Sequence, residues 1–174
     1  MTSSKPFRSA LVGEHRFVSR IFSNDWQLVG PDGVIARLRR IPSTHTSLAT
    51  LGDGTRLEIE PAGWGTVVAT GDAQKARIER QSWWGRRWEV TGIGFGYELT
   101  SDPLPRHWSL RIGGHPVGRL AGTIWSYNRL DVHTDVAVPV HAVILAWHVI
   151  ARPWEAAAAP RSLRPLAPRP EPTS

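Results

Sequence analysis

The feature that most constrains this chain is its longest apolar run, Val136–Ala151, which reads VAVPVHAVILAWHVIA. From Pro139 onward the run predicts a helix, because proline suits the first helical turn, where its missing N–H leaves no bond unmade. Pro153 is expected to end that helix, since proline cannot continue the hydrogen-bonding ladder. We therefore predict a helix over residues 139–151.

Both faces of this helix are apolar. Val140, Val143, Ile144 and Trp147 share one face, and Leu145 lies on the opposite one. A helix that is apolar all round is buried in protein or lies in a membrane. About 13 residues at roughly 1.5 Å each fall well short of the roughly 20 residues that a bilayer requires. We expect burial inside the protein and no transmembrane span.

The residues before the helix alternate apolar and polar side chains in short runs that are separated by turn residues. Two such runs, 26–29 and 34–38, flank Gly30-Pro-Asp-Gly33, a hairpin-turn sequence. Leu57 and Ile59 alternate with charged residues, as in a strand with one wet face. About ten to twelve such strands at regular spacing predict a mainly β domain, either a barrel or a sandwich.

The expected domain organisation is simple. Residues 1–20 are weakly patterned and are expected to form an N-terminal arm, and residues 41–50 have the composition of a loop. Residues 21–152 form the β domain with its helix. Residues 153–174 are rich in Pro, Ala and Arg, and we expect a disordered tail.

Composition excludes several classes of function. The chain has no cysteine, so disulfides, zinc-thiolate sites and thiol catalysis are ruled out. Most of the formal net charge of +6 lies in residues 1–20 and 151–174. A nearly neutral middle argues against nucleic-acid binding, which requires a basic face. The N-terminus lacks the apolar core of a signal peptide, so a cytosolic protein is expected, with peripheral membrane contact as an open possibility.

The order of elements resembles that of the tubby C-terminal-like superfamily, which includes phospholipid scramblases and the plant LURP-one-related proteins. The resemblance rests on DWQLVGPDGVIARLRR, HWSLRIGGHPVGRL and YNRLDVHTDVAVPVHAVILAWHVIA, and it covers roughly Phe22–Ala151. It implies a closed, roughly twelve-stranded antiparallel barrel around one buried hydrophobic C-terminal helix. The alternative fold is a β-sandwich with a capping helix.

The resemblance implies little about function. Tubby proteins bind phosphoinositide headgroups, and scramblases are associated with calcium and lipid movement. The cysteine cluster and the Asp-rich calcium loop of scramblases have no counterpart here, and no tubby-type headgroup motif carries over. The resemblance favours a non-enzymatic binding module for anionic lipid headgroups or a protein partner.

Two groups of arginines are candidates for binding phosphate or lipid headgroups: Arg37, Arg39, Arg40, Arg86 and Arg87. Guanidinium groups bind phosphate oxygens in a bidentate manner, and these arginines would act together if their two hairpins lay side by side. Trp83, Trp84 and Trp88 lie nearby in sequence and suit a membrane interface. The alternative is a mixed-charge barrel exterior.

Asp131, His133 and Asp135 are the candidate metal ligands, because positions i, i+2 and i+4 of a strand face the same side. The same spacing is typical of the solvated face of a final strand, with Val132, Thr134 and Val136 turned inward. A metal site and a solvated face both remain open, and no cofactor is predicted.

His141 and His148 lie seven residues apart on the helix, where they are either core histidines with hydrogen-bond partners or ligands in a pocket. No nucleophile elbow or dinucleotide-binding loop accompanies them. The second functional hypothesis is therefore a small-ligand carrier or an enzyme with a pocket at one end of the barrel.

Overall fold

The computed structural model describes residues 10–71, 75–123 and 125–158, with residues 152–158 described as backbone only. This part of the chain contains twelve strands followed by one helix. They are β1 (Ala10–Ser19), β2 (Asp25–Gly30), β3 (Gly33–Ile41), β4 (Thr46–Leu51), β5 (Arg56–Pro61), β6 (Thr66–Thr70), β7 (Lys75–Arg80), β8 (Arg87–Gly92), β9 (Phe95–Ser101), β10 (His107–Ile112), β11 (His115–Thr123), β12 (Ser126–Pro139) and α1 (Val140–Ala158).

The strands form a closed antiparallel barrel. Each strand pairs with the next one along the chain, and β1 pairs with β12 to close the sheet. Phe17 of β1 lies opposite Leu28 of β2 on one side and Leu130 of β12 on the other. Closure removes the exposed strand edges that an open sheet would present. The predicted twelve-stranded barrel is confirmed, and the sandwich alternative is excluded.

The helix α1 is enclosed by the barrel. Every residue from Val140 to His148 is at most 4% exposed, so no face of this stretch meets solvent. Trp147 stacks on Phe17 of β1 with 5.5 Å between ring centroids, and it meets Trp26 of β2 edge-on at 5.6 Å. The helix also contacts β6, β7, β8 and β12. Within the described residues, no helix is long and apolar enough to cross a membrane.

Small side chains on the inner face of the sheet make room for the helix. Ala36, Ala49, Ala69 and Ala76 are each at most 3% exposed. They alternate along their strands with outward-facing polar residues, as the pleat requires. Larger residues such as Leu57 fill the remaining interior, so helix and sheet share one core.

Two segments that were expected to be irregular are strands. The expected arm 1–20 contains β1, which closes the barrel, and the expected loop 41–50 contains most of β4. The inner face of β1 includes His15, and that of β4 includes Ser47 and Ala49. Polar and small inward side chains weaken the alternation on which the prediction of strands depends.

The predicted boundaries of the helix were also wrong. Pro139 ends β12, and α1 extends past Pro153 to Ala158. A proline inside a helix removes one N–H donor and disturbs the preceding turn, but the alanines that follow have the highest helix propensity. The expected disorder is therefore wrong for residues 153–158, and residues 159–174 lie outside the described part.

The expected inward position of Val136 is wrong as well. The pairing of β1 with β12 shifts register between Leu11 and Gly13, where β12 inserts extra residues. This bulge breaks the alternation of β12. Val132 and Thr134 point inward as predicted, whereas Val136 is exposed.

The meander places alternate loops at opposite ends of the barrel. The loops that follow odd-numbered strands share one end, which we call the tryptophan end: 20–24, 42–45, 62–65, 81–86, 102–106 and Trp125. The loops that follow even-numbered strands share the other, which we call the turn end: 31–32, 52–55, Gly71, 93–94 and 113–114. The helix begins at the turn end and runs toward the tryptophan end.

Candidate functional site

Exposed apolar side chains are concentrated at the tryptophan end. Among the described residues, eight large apolar side chains are more than 60% exposed. Ile93 lies at the turn end, and the other seven lie at the tryptophan end: Ile21, Phe22, Trp64, Trp83, Trp84, Leu104 and Trp125. Exposed apolar groups gathered in one region mark an interaction surface rather than ordinary surface scatter.

Part of this surface is held in place by a cluster around Arg80. The rings of Trp64 and Trp83 lie 5.8 Å apart. The Arg80 guanidinium lies 5.4 Å from the ring of Trp64 and 5.9 Å from that of Trp88. The indole N–H of Trp88 donates to the carbonyl of Gly85 at 2.9 Å. The two loops that carry these tryptophans are therefore fixed to each other and to the barrel wall.

Glycine is needed where this cluster is most crowded. Gly85 has a φ of +66°, and a Cβ atom there would lie 2.9 Å from a guanidinium nitrogen of Arg80. Any other residue at this position would strain the backbone and displace the arginine.

Other loops of the tryptophan end contain residues with a strained backbone conformation. The described non-glycine residues with positive φ are Phe22, His45 and Arg106, all in loops of the tryptophan end. A bulky residue such as Phe22 at positive φ is a genuine outlier, and strained backbone tends to occur at functional sites. The Arg106 guanidinium lies 4.0 Å above the ring of Tyr127 and donates to the carbonyl of Thr123.

The two ends of the barrel differ in charge. The loops of the tryptophan end contain Arg20, Arg86 and Arg106 against Asp102. The described loop residues of the turn end contain Asp32 and Asp53 and no basic side chain. The backbone N–H of Thr55 donates to Asp53 at 2.9 Å and holds the pKa of this carboxyl below its usual value. The difference is confined to the loops, because Arg56 and Lys75 begin strands at the turn end and Asp25 and Glu60 lie beside the tryptophan end.

The two groups of candidate arginines do not meet. Arg37, Arg39 and Arg40 lie on β3, whereas Arg86 and Arg87 lie at the start of β8, and β4–β7 separate these strands around the barrel. Arg39 is paired with Asp25 at 2.7 Å, and Arg87 with Glu98 at 3.0 Å. Arg37 and Arg86 are exposed on different sides of the barrel. A shared phosphate clamp across the two hairpins is therefore not formed.

Arg40 points into the barrel and is only 7% exposed. Its guanidinium lies 5.6 Å from the ring of Trp147 and 3.5 Å from the carbonyl oxygen of His148. The position of Arg40 indicates that it secures the helix rather than meeting a surface ligand.

The candidate metal ligands are engaged by other side chains. Asp131 accepts hydrogen bonds from Arg16 at 2.6 Å and Arg129 at 3.1 Å. Burial alone would raise the pKa of Asp131, but these arginines outweigh it and lower the pKa. His133 lies between Glu14, at 2.6 Å, and Asp135, at 3.0 Å.

Asp131 is therefore engaged by two arginines, whereas His133 is engaged by two carboxylates, one of them that of Asp135. No group of three potential ligands arranged to hold a metal ion is found among the described residues.

Both helix histidines are buried. The Nδ1 atom of His148 lies 2.9 Å from the hydroxyl oxygen of Ser47. His141 is 4% exposed, and burial lowers its pKa, although the charge of Asp53 acts in the opposite direction. Residues 140–148 of the helix, which include both histidines, are therefore covered by protein on every side.

A polar groove of about 380 Å³ crosses the outer wall at β8–β10. Its carboxylates already accept hydrogen bonds from the same wall, Glu89 from Gln81 at 3.3 Å and Glu98 from Arg87 at 3.0 Å. Glu98 and Arg87 therefore form an ion pair, whereas Glu89 is bonded by a neutral amide and Arg111 by the carbonyl of Gly114.

Comparison with known proteins adds information about the fold. No family model matches the chain, and no curated protein matches its sequence. The X-ray structure of a protein from Arabidopsis thaliana is similar, with a TM-score of 0.54 and 11% sequence identity, over 81% of this chain and 90% of that one. At this level of identity, the similarity shows that the two proteins share a fold.

Proposed function

We propose that this protein is a non-enzymatic, tubby-like barrel module that binds anionic membrane surfaces through its tryptophan end. The carrying observation is the placement of the seven most exposed apolar side chains at one end of the barrel, whose loops also contain three arginines. The order of elements and the fold shared with the plant protein support the tubby-like assignment. A cytosolic protein that attaches peripherally to membranes fits this proposal.

The residue types suit the interface between water and lipid. Tryptophan concentrates at the headgroup level of membranes, where its ring is partly buried and its N–H stays hydrated. Each arginine close to an anionic surface contributes about 1 kcal/mol of attraction. Arg20, Arg86 and Arg106 would together add about 3 kcal/mol by this rule, and this part of the affinity would fall with added salt.

The shape of the surface favours a bilayer over a protein partner. The apolar side chains sit on five separate loop tips, and Trp84 and Trp125 are 82% and 91% exposed. Side chains that protrude this far have little support from their own barrel. A fluid interface closes around separate tips, whereas a protein partner requires a continuous complementary surface. The described loops of the turn end contain Asp32 and Asp53 and no arginine, and they carry one of the eight most exposed apolar side chains, Ile93, so this end suits an anionic bilayer less well.

Vesicle flotation tests this proposal. The wild-type protein should float with vesicles that contain phosphatidylglycerol, more at low salt than at moderate salt, and should not float with phosphatidylcholine alone. Trp84→Ser with Trp125→Ser should lower the partition coefficient at least about tenfold, since tenfold corresponds to about 1.4 kcal/mol and each indole offers a large apolar area.

The matched control places the same change at the other end of the barrel. Ile93→Ser with Ile112→Ser also removes two exposed apolar side chains, but at the turn end. It should leave flotation unchanged. Equal losses for the two double variants, or no flotation of the wild-type protein at either salt concentration, would contradict the proposal.

A further inference from the structure

The exposed apolar side chains are not distributed evenly around the tryptophan end. Its six loops follow one another around the barrel in chain order, because each strand neighbours the next. Five consecutive loops carry all seven exposed apolar side chains: 62–65, 81–86, 102–106, Trp125 and 20–24. The sixth loop, 42–45, reads Pro-Ser-Thr-His and carries none of them.

The arginines follow the same division. Arg86, Arg106 and Arg20 lie in loops 81–86, 102–106 and 20–24, which belong to the apolar part of the circumference. Attraction to anionic lipid and insertion of apolar groups therefore act on the same side of the barrel end.

The polar loop 42–45 satisfies part of its backbone polarity internally, because the N–H of His45 donates to the carbonyl of Pro42 at 3.3 Å. The strands on its two sides carry outward-facing charges of both signs, Arg37 and Arg39 on β3 and Glu58 and Glu60 on β5. Charge therefore does not draw this side of the barrel end to an anionic surface, and the loop has no exposed large apolar side chain to insert.

We infer that the barrel docks on an anionic bilayer in a tilted orientation. Loops 81–86 and 102–106, together with Trp125, lie away from loop 42–45 and enter the interface most deeply, while loop 42–45 is lifted toward water and its two neighbours, 20–24 and 62–65, lie at the border. This inference rests on the proposed function, because it describes how the same surface meets the membrane. Trp64 marks the border of the inserted part, where it packs against Trp83.

The absence of cysteine from the chain makes the tilt directly measurable. Single-cysteine variants Pro103→Cys, Ser43→Cys and Asp32→Cys replace exposed residues in loop 102–106, in the polar loop on the opposite side of the same end, and at the turn end, respectively. Each variant is labelled with an environment-sensitive fluorophore and bound to vesicles of phosphatidylcholine and phosphatidylglycerol that contain a lipid-attached quencher. Flotation of each labelled protein is measured in parallel.

The tilted orientation predicts strong quenching and a blue shift for the probe at residue 103. The probe at residue 43 should be quenched several-fold less, close to the value at residue 32. Equal quenching at residues 103 and 43 would show upright docking and overturn the inference while leaving the proposed function intact. Flotation without quenching at residue 103 would show docking through another surface and overturn both. Absence of flotation for all three labelled proteins and for the wild type would remove the proposed function itself.

Discussion

The first prediction concerns the contribution of the enclosed helix to the stability of the barrel. Val143, Ile144 and Leu145 point in three directions about 100° apart around α1, and each is at most 1% exposed. Truncating Ile144 or Leu145 to Ala should cost about 2–5 kcal/mol, because a buried cavity adds to the lost transfer free energy. Val143→Ala removes two buried carbons and should cost somewhat less, about 1.5 kcal/mol or more. Because the free energy of unfolding of a domain is about 5–15 kcal/mol, each of these losses should be measurable.

Urea denaturation followed by tryptophan fluorescence measures these costs. The control is Leu48→Ala, which truncates an outward-facing residue of β4 that is 42% exposed. It should change the free energy of unfolding by no more than about 0.5 kcal/mol. If Leu145→Ala or Val143→Ala were as mild as this control, one face of the helix would not pack against strands, and the enclosed-helix interpretation would be refuted.

Three further outcomes are expected. Ser47→Ala should cost about 1–3 kcal/mol in urea denaturation, because it leaves a buried nitrogen of His148 without its hydroxyl partner. Burial lowers the pKa of His141, so the unfolded chain binds the proton more readily. Thermal stability should therefore fall as the pH drops below about 6.5, and His141→Leu should weaken this dependence. Gly118→Ala should lower the melting temperature, since its Cβ would lie 2.8 Å from the carbonyl oxygen of His133.

The sequence predicted the central helix better than it predicted the strands of the barrel. The helix was recognisable because both of its faces are apolar, and strands such as β5 were recognisable because Leu57 and Ile59 alternate with charges. β4 was not predicted as a strand, because its inward-facing residues include Ser47 and Ala49. A barrel filled by a helix has room for small side chains only, so the feature that makes the fold possible also weakens the strand pattern.

The candidate site was harder to predict, because locating it requires the correct number of strands before each loop. Trp83 and Trp84 were noted as exposed candidates, but Trp64, Trp125 and Phe22 were not associated with them. In a meander, the end of the barrel to which a loop belongs depends on whether an odd or an even number of strands precedes it. Overlooking one strand, such as β4, assigns every later loop to the wrong end.

The helix that fills the barrel interior limits where this fold can bind a ligand or partner. In a barrel with a hollow interior, a ligand can enter among the strands, but here α1 occupies that space and its histidines face protein on all sides. The wall is closed by continuous strand pairing, so it has no free edge to extend. Loops at the two ends are the segments that can change without disturbing the core or the ladder. The stability of the barrel and its surface chemistry are thus carried by different residues. The side chains of Trp84 and Trp125 are 82% and 91% exposed, so they contribute little to folding, and the proposed binding to a membrane would account for their presence.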